Sequence, residues 1–162
     1  MLAAGKMVFL RAGPCGRRRL TGAITLTLKR GSCKCQAVRF EYTGEFGVIT
    51  VCHCADCRKL QGSSGVVAAP ADSSQLQWTT GQDRITEYES SPGKKRAFCS
   101  NCGTPLYSRR DDVPGIMRLR MGSLDTPTDA TPVAHIFCRD LPPWACLDDE
   151  WPRYERHEPG RT

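Results

Sequence analysis

The sequence predicts an all-β single domain stapled by metal. Two observations carry this: short runs that alternate apolar and polar residues, and seven cysteines gathered into three tight groups. Fifteen glycines and eleven prolines among 162 residues add the tight turns that such a fold requires. The length suits one domain able to bury a modest core.

The runs read in order as strands. "AITLTLKR" and "AVRFEYTG" alternate, and the second puts Val38, Phe40 and Tyr42 on one face. "GVITVC", "GVVAAP", "LQWTTG", "RITEYESS" and "IMRLRMGSL" follow, rich in β-branched or aromatic residues and punctuated by Gly, Pro, Ser and Asp. Only "ADCRKLQG" suits a helix, of two turns at most. We expect a basic leader over residues 1–28, the domain over 29–156, and a polar tail over 157–162 that frays after Tyr154. Free strand edges would allow a homodimer.

Charge is segregated along the chain. Residues 1–40 hold nine of the 23 Lys and Arg and none of the 17 Asp and Glu. The remaining 122 residues carry 14 basic and 17 acidic groups, a net of −3. The leader suggests a solvated tail more than a nucleic-acid contact, and the domain itself makes a poor polyanion binder. The opening residues do not read as a secretory signal, and no run approaches the roughly 18 apolar residues of a membrane span. We therefore expect a cytoplasmic chain with reduced thiols.

The cysteine groups are Cys33 and Cys35, then Cys52, Cys54 and Cys57, then Cys99 and Cys102. Thiolates this close converge on one Zn²⁺ with little loss of chain entropy. Seven ligands divide into a closed Cys₄ site, Cys33/Cys35 with Cys99/Cys102, and a triplet that leaves one coordination place open. Spacing alone also allows Cys54/Cys57 with Cys99/Cys102 as a zinc ribbon.

"RGSCKCQAVRF", "VCHCADCRKLQG", "FCSNCGTPLYSRRDD", "AHIFCRDLPPW" and "DDEWPRYE" together resemble the glutathione-dependent formaldehyde-activating family, whose domain also occurs in centromere protein V. The likeness runs from about residue 31 to 155. It implies a zinc-bearing β-tent with two Zn²⁺ per chain. Cys33, Cys35, Cys99 and Cys102 would hold the structural ion. Cys52, Cys54 and Cys57 would hold a second ion that engages glutathione. Gln36 departs from the glycine usual after the second cysteine, so a positive φ there would be mildly strained.

His53, between two ligands, should face away from their metal, and His135 reads as a buried structural histidine that has some claim to the pocket. His157 needs no role. Cys15 belongs to the leader, while Cys138 and Cys146 read as small apolar fillers. Arg58 and Lys59 are candidates for a glutathione carboxylate. Arg109 and Arg110 before Asp111 and Asp112 form a charged hairpin end. Trp78, Trp144 and Trp151 read as packing residues.

Two functions are compatible with this. One is a carbon–sulfur lyase run in the synthetic direction, adding glutathione or a similar small thiol to formaldehyde or another small aldehyde. The other is a non-catalytic zinc module that binds a small thiol, a protein or a nucleic acid. Asp56 is the only carboxylate near the triplet in sequence, and nothing turns it inward.

Overall fold

The computed structural model describes residues 28–159. The leader expected over residues 1–28, with Cys15 and the first part of "AITLTLKR", lies almost wholly outside the described residues. Ten strands follow in order, β1 (Lys29–Ser32), β2 (Arg39–Tyr42), β3 (Thr50–Cys52), β4 (Val66–Asp72), β5 (Leu76–Thr80), β6 (Ile85–Ser91), β7 (Lys94–Cys99), β8 (Pro105–Arg110), β9 (Ile116–Arg120) and β10 (His135–Ile136). One helix, α1 (Ala55–Gln61), sits between β3 and β4. No described helix is long and apolar enough to cross a membrane.

The strands form two sheets, a small one in the order β1-β2-β5 and a large one in the order β10-β3-β4-β9-β8-β7-β6. All pairings between these strands are antiparallel except β10 with β3, which is parallel. That parallel pair is short and is held by Val51 N–H to Ala134 O and His53 N–H to Ile136 O.

The core lies between the sheets. Phe40 and Tyr42 on β2, and Val38 just before it, are fully buried on one face, as their alternation requires. They meet Ala71, Ala97, Cys99, Leu106, Tyr107 and Leu119 of the large sheet. Burying a side chain such as Phe40 contributes about 1.5–3 kcal/mol. Trp78 stands edge-on to Phe40 at 5.5 Å and 69°, and Trp151 lies 5.5 Å from the His135 ring. Trp144 is no packing residue: it is 66% exposed.

The other face of the large sheet is left for the site. Period-two alternation that sends Ala97, Cys99 and Leu119 into the core sends Lys94, Arg96, Arg118 and Arg120 to the opposite side. The chain end also differs from expectation. Phe137 N–H donates to Arg156 O at 2.9 Å, and His157 stands edge-on to Phe137 at 4.7 Å, so Arg156 and His157 stay against the body.

Candidate metal centres and anion cavity

The Cys₄ group forms where two turns meet. Cys33 follows β1, and the turn to β2 closes by Gln36 N–H to Cys33 O at 2.8 Å. Gln36 takes φ 60, the positive value the turn demands, and its side chain accepts from Arg39 Nη2 at 2.6 Å. The facing turn carries Cys99 and Cys102, with Gly103 at φ 72 donating to Cys99 O at 2.8 Å. Lys34 N–H donates to Thr104 Oγ1 at 3.0 Å and ties the two turns together.

All four sulfurs lie within 4.8 Å of one another, with Cys33 to Cys35 at 3.4 Å and Cys35 to Cys99 at 3.9 Å. Tetrahedral zinc with bonds of about 2.3 Å separates its sulfurs by about 3.8 Å, so this donor set fits the ion. Hydrogen bonds from the Thr104 hydroxyl and backbone pull Cys102 down to about 5. Burial pushes Cys33 up to about 11.

The second group is local. Cys52 ends β3, Cys54 caps α1 by accepting from Cys57 N–H at 3.4 Å, and Cys57 is buried in the first turn. Gly62, in the left-handed conformation, ends the helix. The three sulfurs also lie within 4.8 Å of one another, a set that fits zinc with one place open. Among the described residues these are the two groups able to hold a metal in this way. Hydrogen bonds from Cys52 and Cys54 lower the Cys57 thiol strongly, and Arg96 Nη1, 3.4 Å from its sulfur, adds to this. The division into four and three thus follows the geometry rather than the ribbon pairing.

His53 belongs to neither group. Its ring turns inward, with Nδ1 2.7 Å from Ser64 O and Nε2 2.8 Å from His135 Nδ1. His135 Nε2 in turn lies 3.0 Å from both carboxylate oxygens of Asp149. Gly65 leaves room for the ring: a Cβ there would stand 2.7 Å from His53 Cε1.

The triplet opens into a cavity of about 670 Å³, a size typical of small-molecule sites. Its charged lining consists of Lys94, Arg96, Arg109, Arg110, Arg118 and Arg120 against Asp56 and Asp112. Lys94 stands opposite Arg110 across the β7–β8 ladder, and Arg96 and Arg118 flank Ser108. Like charges directly opposite, as Lys94 and Arg110 are, repel. Arg109 and Arg110 are partly neutralised, Arg109 by Glu87 and Asp111 and Arg110 by Asp112. Arg120 is 6% exposed, and its Nε has no hydrogen-bond partner among the described residues.

These cations were not among the sequence candidates. Arg58 and Lys59 lie on α1 and do not line the cavity. Arg109 and Arg110, expected to be only a hairpin end, do line it, as do His157 and, contrary to expectation, Asp56. Cys138 is half-buried and Cys146 exposed, so Cys146 fills no core.

The structure is similar to a crystal structure of a Rhodobacter sphaeroides protein, with a TM-score of 0.52 and 24% identity, covering 77% of this chain and 98% of that one. In sequence, an uncharacterized lyase of Schizosaccharomyces pombe is 34% identical over 77 residues, which span 48% of this chain and 54% of that protein. A Halomonas elongata protein assigned by name to glutathione-dependent formaldehyde activation is 26% identical over 129 residues, 75% of this chain and 82% of that one. The family model for glutathione-dependent formaldehyde-activating enzymes matches residues 28–140, which takes in both cysteine groups. The chain belongs to the glutathione-dependent formaldehyde-activating enzyme family.

Proposed function

We propose that this chain is a zinc-dependent carbon–sulfur lyase of the cytoplasm that binds glutathione or a similar thiol and promotes its addition to formaldehyde or another small aldehyde. The observation that carries the reading is the triplet of Cys52, Cys54 and Cys57 opening into a cavity whose charged lining is mostly cationic. A Zn²⁺ held by the triplet, when bound, keeps a thiol sulfur in its thiolate form. A second Zn²⁺ held by Cys33, Cys35, Cys99 and Cys102 pins the turns at the far end of β7.

In the reaction the thiol gives up its proton, and the sulfur pair attacks the carbonyl carbon. The C=O π pair moves to oxygen, which takes up a proton and leaves S–CH₂–OH. The chain's residues bind and orient. Arg96 holds Cys57, and Lys94, farther along β7, and Arg118, across Ser108 from Arg96, are placed for the carboxylates at the ends of the tripeptide. The carboxylate-binding role expected for Arg58 and Lys59 passes to these strand residues, because the helix positions are outside the lining.

The test is two-dimensional exchange NMR between ¹³C-formaldehyde and glutathione with zinc-loaded protein and with Cys54→Ser. Exchange accelerated by the protein and lost in the variant supports the reading. Exchange at the background rate makes the chain a zinc-stapled binding module instead.

A further inference from the structure

Arg120 is the residue that a formaldehyde adduct leaves unexplained. It lies on β9 with its guanidinium buried, lines the cavity beside the triplet, and has an Nε with no partner. A divalent ion held by three thiolates and the thiolate of glutathione carries two net negative charges, which Arg96 and Arg120 match; once that sulfur is bonded to carbon it is neutral, and one positive charge is left over. Arg96 is engaged by Cys57. A buried guanidinium without an anion is costly to keep. The carboxylates of glutathione do not reach it easily, since they stand at the ends of the tripeptide, several bonds from the sulfur. Formaldehyde brings no charge at all.

We propose that the carbonyl substrate carries its own carboxylate, bonded directly to the aldehyde carbon, and that Arg120 binds it. The simplest such compound is glyoxylate. The inference rests on the thiol-addition reading above and narrows its substrate class. Addition is balanced as before: sulfur bonds to the carbonyl carbon, the π pair goes to oxygen, and the proton lost by the thiol is regained there. The product is S–CH(OH)–COO⁻, with the carboxylate one bond from the carbon that holds sulfur. That position is beside the triplet, where the planar guanidinium of Arg120 can take both oxygens.

The test uses two stable thioethers, S-carboxymethylglutathione and S-methylglutathione, titrated calorimetrically into the zinc-loaded full chain. The carboxymethyl compound should bind at least tenfold more tightly. Arg120→Met should erase that margin, and Arg120→Lys should retain part of it, with zinc content and melting temperature checked for both. Should Arg120→Met fail to fold, a reduced margin in Arg120→Lys, which keeps the charge but loses the two-donor face, supports the same conclusion. In ¹³C exchange with glutathione, labelled glyoxylate should likewise be accelerated at least tenfold more than labelled formaldehyde. Equal affinities for the two thioethers, or a margin that survives in Arg120→Met, overturns the carboxylate proposal and leaves thiol addition standing. Absence of binding by both compounds, with exchange of both aldehydes at background, overturns thiol addition itself and this proposal with it.

Discussion

His53 Nε2 and His135 Nδ1 face each other at 2.8 Å, in a chain that begins on a carbonyl and ends on a carboxylate. Ser64 O can only accept, so His53 Nδ1 carries a proton. His135 Nε2 stands 3.0 Å from both carboxylate oxygens of Asp149 at the other end. Burial pulls the His53 pKa down, which favours its neutral ring. Burial raises Asp149, but hydrogen bonds from His135 and Trp151 N–H outweigh it and leave the carboxyl below its usual range. Long-range ¹H–¹⁵N spectra should therefore find His53 as the neutral Nδ1–H tautomer. His135→Ala should cost about 2 kcal/mol by orphaning buried His53 Nε2, read as a fall in denaturation midpoint. Because the Asp149 pKa is depressed, its contribution is complete above about pH 4 and is lost as pH falls further.

Removing one cysteine from each group should give different outcomes. Cys99 is fully buried in the core cluster and belongs to the group that joins two distant turns. Cys99→Ser should lower the melting temperature sharply, since a structural ion contributes folding energy. Cys54→Ser should stay folded with one zinc fewer and no thiol binding, measured by metal analysis and calorimetry. Equal loss of folding in both would merge the two roles into one.

Gln36 holds a left-handed backbone that costs a β-carbon roughly 1 kcal/mol or more. Gln36→Gly relieves this and gives up the bond from Arg39. The net gain should be about 0.5–1 kcal/mol. A denaturant midpoint that moves the other way would mean that the Arg39 contact outweighs the strain.

Burial, together with the neighbouring Arg118, Arg96 and Arg120, pulls Lys94 down to about 8. The native state releases this proton before the unfolded chain does. Stability should therefore rise with pH from about 8 until the unfolded lysine titrates near 10.4. Affinity for an anionic ligand should change in the opposite sense, falling as pH passes 8. In Lys94→Met both slopes should flatten, as followed by denaturation and by calorimetry across that window.

The cysteine groups were legible because each packs its members within a few residues, while their division into four and three rested on the family resemblance, since spacing alone left the ribbon pairing open. Alternation also revealed β2 and its buried face. The cations were hidden for a different reason. Lys94, Arg96, Arg118 and Arg120 come from two strands and converge only through sheet register. "KKR" read in isolation suggests a solvated stretch rather than the floor of a cavity. Arg58 and Lys59 attracted notice by following Cys57 directly, but a helix carries its next residues around its axis and off the cavity side. The sum of −3 over residues 41–162 concealed the basic cavity because net charge carries no positional information.

The two cysteine groups also differ in how much chain must exist before each is whole. The triplet is complete once residue 57 has been made, and its ligands close a loop of only a few residues. The other group reaches from residue 33 to residue 102, and joining ends so far apart costs about 2 kcal/mol more in chain entropy. During synthesis the triplet is thus ready to capture an ion while the four-cysteine group still lacks half its ligands. The four-cysteine joint is therefore a late event that waits for β7 and the turn after it, whereas the triplet needs only β3 and the first turn of α1.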